Sequence, residues 1–76
     1  MEKIFDRNKI NLPNKKIYAK DDYYYPITKE EKDLININYK IKDKKKYKDG
    51  EMVGYAIINL GAKTVHKEKL YIKVKK

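Results

Sequence analysis

The segment KDGEMVGYAIINL, residues 48–60, joins a turn signal to the longest apolar run of the chain. The Asp49-Gly50 dipeptide is a strong tight-turn signal. After Glu51 the run carries no charge and is rich in β-branched, aromatic and small residues, which favour strands. We therefore predict a tight turn that leads into a central strand over residues 53–60, buried on both of its faces.

Strict alternation divides this predicted strand into two faces. The first face carries Val53, Tyr55 and Ile57, and the second carries Gly54, Ala56, Ile58 and Leu60. A glycine inside a strand often marks a bulge or a close approach by another part of the chain. We interpret Gly54 as a packing or bending position; the alternative is that it only ends the turn region.

The length and composition describe one small domain without covalent cross-links. The chain has 76 residues, no cysteine and one histidine. A domain of this size buries only about 60% of the surface that its unfolded chain exposes. The missing cysteines exclude disulfides, and a structural zinc site would lack ligands. Its stability must therefore come from apolar strands.

The charge of the chain is strongly basic. Charged residues make up 41% of the sequence, and the formal net charge is +9 at pH 7. An excess of this size favours polyanionic partners, namely an anionic membrane surface, an acidic wall polymer or nucleic acid. The alternative is that the lysines only keep a small β-protein soluble. Composition alone leaves both interpretations open.

No targeting or membrane-spanning segment is evident in the sequence. No stretch is long and apolar enough to cross a membrane, and the first residues, MEKIFD, lack an apolar signal-peptide core. If the domain works outside the cytoplasm, we therefore expect it to be a piece excised from a longer exported protein.

The first quarter of the chain contains short strand candidates. Residues 4–5 and 10–12 suggest two extended pieces around a polar turn. Residues 16–20 alternate well enough for a strand, with Ile17 and Ala19 facing inward.

Three tyrosines stand together at residues 23–25 and are followed by Pro26. Proline has no N–H to give to a ladder, so this segment should finish at a sheet edge. Adjacent tyrosines can form a stacking platform for bases. More often such rings fill a small core while their hydroxyls reach water, and we favour that interpretation.

Residues 28–41 combine a helix-start signal with the clearest strand. Thr28 and Glu31 have the spacing of a capping box, but residues 28–33 have no apolar face, so we predict a single turn or a loop. Residues 34–41 alternate strictly. The inward side chains are Ile35, Ile37, Tyr39 and Ile41, and the other face of this strand is wet.

The last third begins with the basic stretch at residues 42–48, which resembles a nucleic-acid-binding cluster. Asp43 and Asp49 interrupt its charge, so we favour a solvated connection. After a turn at residues 61–63, alternation predicts a final strand. Its inward residues are Val65, Leu70, Ile72 and Val74, and its outward residues are Tyr71, Lys73 and Lys75.

Short strands joined by local turns indicate an all-β fold, a small antiparallel β-sandwich formed by residues 1–76 as a single domain. The inventory of reactive groups points away from catalysis. His66 is the only conventional base at neutral pH, and the chain has no serine or cysteine for it to activate. A Gly-rich phosphate loop is also missing. We predict a non-catalytic module without catalytic, metal or cofactor-binding residues.

The order of segments resembles the C-terminal β-domain of D-alanyl-D-alanine carboxypeptidases, the low-molecular-mass penicillin-binding proteins. The matching segments are YAKDDYYYPI at residues 18–27, the strand at 34–41, KDGEMVGYA at 48–56 and residues 61–70. The resemblance covers residues 16–74. This sequence departs from the family pattern at Lys45-Lys46, where the family often has Ala-Pro, and at Leu60-Gly61, where a polar residue usually precedes the hairpin glycine.

The resemblance implies a role and a location. The parent would be an exported peptidoglycan-trimming enzyme at the outer face of the bacterial cytoplasmic membrane or in the wall. This domain would hold the catalytic domain of the same chain in position. The family's serine and lysine motifs belong to a separate, preceding domain and match no position here, and its usual membrane anchor is missing after Lys76.

Two sets of residues follow as candidates. The candidate polyanion contacts are Lys44, Lys45, Lys46, Lys67, Lys69, Lys73 and Lys75. The candidate structural residues are Gly50, Gly54, Tyr55, Ile57, Ile35, Ile37 and Leu70. The expected partners are the parent's catalytic domain and an anionic membrane surface or wall polymer. The main alternative, which we favour less, is that the chain is a free-standing basic module that binds single-stranded nucleic acid. A third hypothesis is that the domain binds another protein through an exposed edge strand.

Overall fold

A computed structural model describes residues 1–13 and 16–74 of the chain. The strands are β1 (Glu2–Phe5), β2 (Ile17–Ala19), β3 (Tyr23–Tyr25), β4 (Ile35–Ile41), β5 (Met52–Leu60) and β6 (Lys63–Ile72), with one 3₁₀ turn at Glu31–Leu34. One sheet pairs β1 with β3, and the other has the order β2-β6-β5-β4. All pairings are antiparallel. The predicted all-β fold, a small antiparallel sandwich, is confirmed.

The apolar core lies on the inner face of the larger sheet and against β1. The buried side chains are Phe5, Ile17, Ala19, Val53, Ala56, Ile58, Leu70 and Ile72. Half-buried side chains of β4, including Ile37, Tyr39 and Ile41, pack against this cluster. The predicted inward orientation of Ile17, Ala19, Leu70 and Ile72 is confirmed.

Two β-bulges interrupt the β5–β6 pairing. Between the pairs Met52↔Tyr71 and Gly54↔Leu70, Val53 is the extra residue of β5. Between Ile58↔His66 and Asn59↔Thr64, Val65 is the extra residue of β6. An extra residue reverses the alternation of faces locally.

The face predicted for Val53 is wrong because of the first bulge. This side chain is fully buried on the side of Gly54 and Ala56, whereas Tyr55 and Ile57 are half-buried on the opposite face. Val74 is a second correction, because it lies beyond the end of β6 and is 38% exposed. The predicted extended piece at residues 10–12 is not a strand, although Ile10 and Leu12 pack against the core.

Gly54 is a packing position, as predicted. A Cβ atom placed on Gly54 would overlap the carbonyl oxygen of Lys40 and lie 2.9 Å from the Cα atom of Ile41. The β5 backbone therefore approaches β4 more closely than any other residue type would allow.

The turns follow the sequence signals. Gly50 has a φ of 77°, which glycine adopts without steric cost, and its N–H donates to the Ile72 carbonyl at 2.7 Å. At the 3₁₀ turn the Thr28 N–H donates to Glu31 Oε1 at 3.0 Å, and the Glu31 N–H donates to Thr28 Oγ1 at 3.2 Å. The predicted capping box is therefore formed, and it supports a single turn only.

The long strands define two ends of the molecule, which measures 45 × 20 × 17 Å. The hairpin end contains the β5–β6 turn and the 3₁₀ turn, which the hydrogen bond from Gly61 N–H to the Leu34 carbonyl joins at 2.9 Å. Glu2 lies at this end, 3.0 Å from Lys32 Nζ. The loop end contains the β4–β5 loop and the end of β6, where the Val74 N–H donates to Asp49 Oδ1 at 2.9 Å.

Candidate polyanion-binding surface

The outer face of the larger sheet is lined with lysines. Because alternation turns Leu70 and Ile72 inward, the intervening residues of β6 face outward. We define the basic face by its lysines and tyrosines, which are Lys20, Lys40, Lys67, Lys69, Lys73, Tyr18, Tyr55 and Tyr71. The outward positions of the described parts of β2, β4, β5 and β6 carry no acidic residue. The charge of this face is therefore of one sign.

Strand register sets the spacing of the lysines. Lys40 pairs with Tyr55 on β5, and Tyr55 pairs in turn with Lys69 on β6. Adjacent strands lie about 4.8 Å apart, so two exposed cations flank one half-buried ring. Lys67 continues the row along β6, opposite Ile57.

Aromatic rings hold the cations next to β2. Tyr18 and Tyr71 are cross-strand neighbours whose ring centroids lie 5.8 Å apart. Lys20 Nζ lies 4.3 Å from the Tyr71 centroid, and Lys73 Nζ lies 5.9 Å from the Tyr18 centroid. An ammonium group over a tyrosine face is attracted by the ring quadrupole, so these side chains are restrained close to the sheet.

The lysines of the β4–β5 loop do not act as one cluster. Lys44 forms an ion pair with Glu51. The hydrogen bond from Lys44, assisted by the Lys48 N–H, lowers the pKa of Glu51 below its usual value. Lys45 and Lys46 instead face an open groove. The predicted set of three is therefore divided between an internal ion pair and a solvent-facing groove.

This groove, which we call the lysine groove, lies at the loop end and has a volume of about 470 Å³. Its lining consists of Lys16, Lys45, Lys46, Lys73, Tyr47, Ile72 and Val74. The Tyr47 hydroxyl donates to the Lys42 carbonyl and accepts the Lys44 N–H at 3.1 Å. These two bonds hold one wall of the groove in place.

The hairpin end of the same outer face is neutral. Asn59 Nδ2 donates to Asn36 Oδ1 at 3.1 Å, and Thr64 Oγ1 donates to Asn59 Oδ1 at 2.7 Å. Asn38 Nδ2 joins the same Asn36 oxygen at 3.3 Å. The positive charge of the outer face is therefore concentrated away from the hairpin end.

The three adjacent tyrosines do not present their rings together. Tyr23 stacks on His66 at a centroid distance of 4.0 Å and packs against the core. Tyr25 lies tilted at 6.3 Å from Tyr23, and Tyr24 is 46% exposed. This arrangement fits the core interpretation of Tyr23. Sequence reasoning missed His66 as a partner, although its alternation with Leu70 could have placed it on the inner face.

A second contact that the sequence did not reveal involves Asp22. Its Oδ1 accepts the Arg7 N–H at 2.8 Å, and its Oδ2 lies 3.5 Å from Lys3 Nζ. The Arg7 hydrogen bond first, and then the Lys3 charge, lower the pKa of Asp22 below its usual value. The guanidinium of Arg7 also donates to the Lys20 carbonyl at 2.8 Å. The β1 loop is thereby attached to the β2–β3 connection.

The remaining candidate residues are distributed over the fold. Lys67 and Lys69 belong to the basic face, Lys73 belongs to both the face and the groove, and Lys75 lies outside the described residues. Leu70 is fully buried, whereas Tyr55, Ile57, Ile35 and Ile37 are half-buried. The larger sheet ends at β2 on one side and at β4 on the other, so an edge-strand partner would pair there.

Residues 1–13 and 16–74 contain no group of three His, Cys, Asp or Glu side chains that could hold a metal ion. Within the same residues, none of the helical structure is long and apolar enough to span a membrane.

The fold and the basic face define the class of this protein as a small all-β module with a one-sided basic surface. The family model described as "Penicillin-binding protein 5, C-terminal domain" matches residues 4–75. The chain therefore belongs to the family of penicillin-binding protein 5 C-terminal domains, as the resemblance predicted. Searches of curated proteins and of solved structures returned no match.

Proposed function

We propose that this domain is the accessory sandwich of a serine-type D-Ala-D-Ala carboxypeptidase and positions the catalytic domain for peptidoglycan trimming. Family membership over residues 4–75 is the observation that carries this proposal, because domains of this family accompany a penicillin-binding catalytic domain. The family context also supports a parent that works in the periplasm or the cell wall.

The two ends of the domain support a positioning role. Glu2 lies at the hairpin end, so a catalytic domain that precedes this chain would attach there. The lysine groove lies at the loop end. Nine residues of β5 run between the two ends and span about 30 Å at 3.3 Å per residue. The basic face would then contact an anionic membrane or wall polymer while the catalytic domain stands away from it.

The contact in this proposal is electrostatic. Lysines that share one face sum their fields toward a negative surface, and each contributes on the order of 1 kcal/mol near anionic lipid. Such an interaction orients a protein but does not read a sequence. It also requires no rearrangement of the core.

The upstream reading frame and an activity assay together test the proposal. We expect an in-frame Ser-x-x-Lys motif in a preceding domain. Replacing the five lysines of the basic face by Gln in the parent enzyme should lower the release of D-alanine from intact wall sacculi. The release of D-alanine from a soluble pentapeptide should stay unchanged. Equal loss on both substrates would point to a damaged catalytic domain and contradict the positioning role.

A further inference from the structure

The outer edge of β4 is the longer of the two open edges of the larger sheet. β4 has seven residues, whereas β2, the strand at the opposite edge, has three. Within residues 1–13 and 16–74, β4 pairs with β5 alone. An open edge presents unpaired N–H and C=O groups, which form a template for another strand. The β4 edge is therefore a candidate surface for protein association.

Two hydrogen bonds show which backbone groups of β4 point to the open edge. The Lys42 N–H donates to the Val53 carbonyl at 2.6 Å, and the Leu34 carbonyl accepts the Gly61 N–H at 2.9 Å. Because antiparallel strands bond through alternate residues, the even-numbered residues of β4 bond to β5. The residues whose N–H and C=O groups face the open edge are therefore Ile35, Ile37, Tyr39 and Ile41.

The side chains of the same four residues are only half-buried. They point to the inner face, where their cross-strand neighbours on β5 include Ala56 and Ile58, both fully buried. The apolar core is thus covered as far as β5 and left partly open along β4. A strand that added to this edge would form backbone hydrogen bonds and would also cover apolar side chains.

The centre of β4 is suited to pairing with a second copy of the same strand. If two copies pair antiparallel, the register that overlaps all seven residues of both strands places Asn38 opposite Asn38 of the second copy. Like charges directly opposite each other destabilise a sheet, so a charged residue at this position would oppose self-pairing. An uncharged amide has donors and an acceptor and can face its own copy.

The rest of the strand is compatible with the same register. Lys40 lies opposite Asn36 of the second copy, so no lysine of β4 faces another lysine across the pair. The two Lys40 residues are then separated by about 14 Å along the strands, which exceeds the Debye length of about 8 Å at physiological salt. On the inner face Ile37 lies opposite Tyr39. Charged residues therefore meet neutral ones, and apolar residues meet apolar ones.

We propose that the domain associates with a second copy of itself by antiparallel pairing of the two β4 edges, with the two-fold axis at Asn38. The N–H groups of Ile37, Tyr39 and Ile41 donate to the second copy. The outer faces stay on the same side of the joined sheet, so the two basic faces form one surface. The pairing is weak, because one pair of strands is smaller than a standard interface. Added salt strengthens it by screening the net charge of +9 on each copy.

Two substitutions with the same change in net charge test the register. Asn38→Asp places two carboxylates opposite each other and should weaken self-association about threefold or more. Asn36→Asp places a carboxylate opposite Lys40 and should strengthen self-association by a similar factor. Sedimentation velocity of the complete 76-residue chain over a series of concentrations measures the dimer, and urea midpoints confirm that each variant is folded. Equal effects of the two variants would overturn the proposal, because net charge alone would explain them.

Disulfide trapping tests the position of the axis, since the chain has no cysteine of its own. Opposite residues in a non-hydrogen-bonded pair have Cα atoms about 4.5 Å apart, a distance that a disulfide spans. With oxidised glutathione, Asn38→Cys should form a covalent dimer several-fold faster than Asn36→Cys, whose two copies lie about 14 Å apart in this register. Equal rates, dissociation by added salt or a monomer at every concentration would each contradict the proposal.

Discussion

The ring of His66 lies flat on the ring of Tyr23, with centroids 4.0 Å apart and an interplanar angle of 4°. Tyr23 belongs to β3 in the smaller sheet and His66 to β6 in the larger one. Glu68 Oε1 holds the histidine at 2.9 Å from Nε2. This stacked pair connects the two sheets outside the aliphatic core.

Replacing Tyr23 by Leu should therefore destabilise the domain. The loss should exceed the cost of the lost area by about 0.5–1.5 kcal/mol, the range for an aromatic pair. Tyr23→Phe keeps the stacking and should cost less, since the bond from its hydroxyl to the Val65 carbonyl is long at 3.5 Å. Urea midpoints of the two variants check this order. If Tyr23→Phe were as unstable as Tyr23→Leu, the hydroxyl and not the ring stacking would be the stabilising group.

Ile58→Ala should be more damaging than Ile57→Ala. Ile58 is 0% exposed, whereas its neighbour is half-buried on the outer face. Emptying the buried site should cost about 2–5 kcal/mol, and truncating the half-buried side chain should cost about 1 kcal/mol. Chemical denaturation monitored by circular dichroism compares them, with Asn38→Ala as a surface control. Equal midpoints for the two isoleucine variants would contradict the observed burial.

Gly54→Ala should disrupt the β4–β5 pairing. The added Cβ overlaps the Lys40 carbonyl oxygen, and backbone cannot move aside as a side chain can, so the cost should be about 3 kcal/mol or more. Gly61→Ala is the control, because a Cβ there meets nothing within 4 Å. Its positive φ of 62° should cost only about 1–2 kcal/mol. Amide exchange along β4 would show whether the first change opens this edge.

The contrast between Gly54 and Val53 shows where the sequence was informative. Alternation and turn residues predicted most strands, and the glycine in a strand correctly indicated a close approach. The face of Val53 was predicted wrongly because a bulge depends on the partner strand, and no local propensity encodes that partner. The inward orientation predicted for Val74 was wrong for a related reason. The alternating pattern of the sequence continues to Val74, whereas β6 ends at Ile72.

The candidate site was predictable only in part. The lysines of β6 could be placed by alternation, and they form part of the basic face. The division of Lys44 from Lys45 could not be predicted, because it depends on the position of Glu51 in three dimensions. The contacts of Asp22 with the β1 loop were missed for the same reason.

Stability should fall in acid partly through Asp22. Its folded pKa lies below the usual 3.8 because the Arg7 N–H and the Lys3 charge stabilise the carboxylate. This contribution is present above the unfolded pKa and is lost as the pH falls through the lower folded pKa. The difference in urea midpoint between the unchanged chain and Asp22→Asn should therefore shrink below pH 3.8. Asp21→Asn is the control, because it removes one charge from the neighbouring position. If the difference in urea midpoint between the unchanged chain and Asp22→Asn stayed constant down to pH 2, protonation of Asp22 would not contribute to the loss of stability in acid.

Binding to anionic vesicles should be weak, dependent on salt and specific to the basic face. Lys67→Gln with Lys69→Gln should reduce it by about 2 kcal/mol at most at low salt. Because the Debye length is about 8 Å at physiological salt, the effect should diminish as salt is added. Lys29→Gln with Lys63→Gln removes equal charge near the hairpin end from two exposed side chains and serves as the control. Vesicle binding is measured by sedimentation. If the two double variants lost the same amount of binding, the net charge of the domain and not the position of the lysines on the basic face would determine the affinity.

The two valine bulges compensate each other along the hairpin. Val53 shifts the register of β5 against β6 by one residue, and Val65 shifts it back before the turn. Because neighbouring residues point to opposite faces, loss of one bulge alone would turn part of the lysine row toward the core. We therefore expect these two residues to be gained or lost only together. Homologous chains should show them as a linked pair of length changes, with hairpins that carry both or neither.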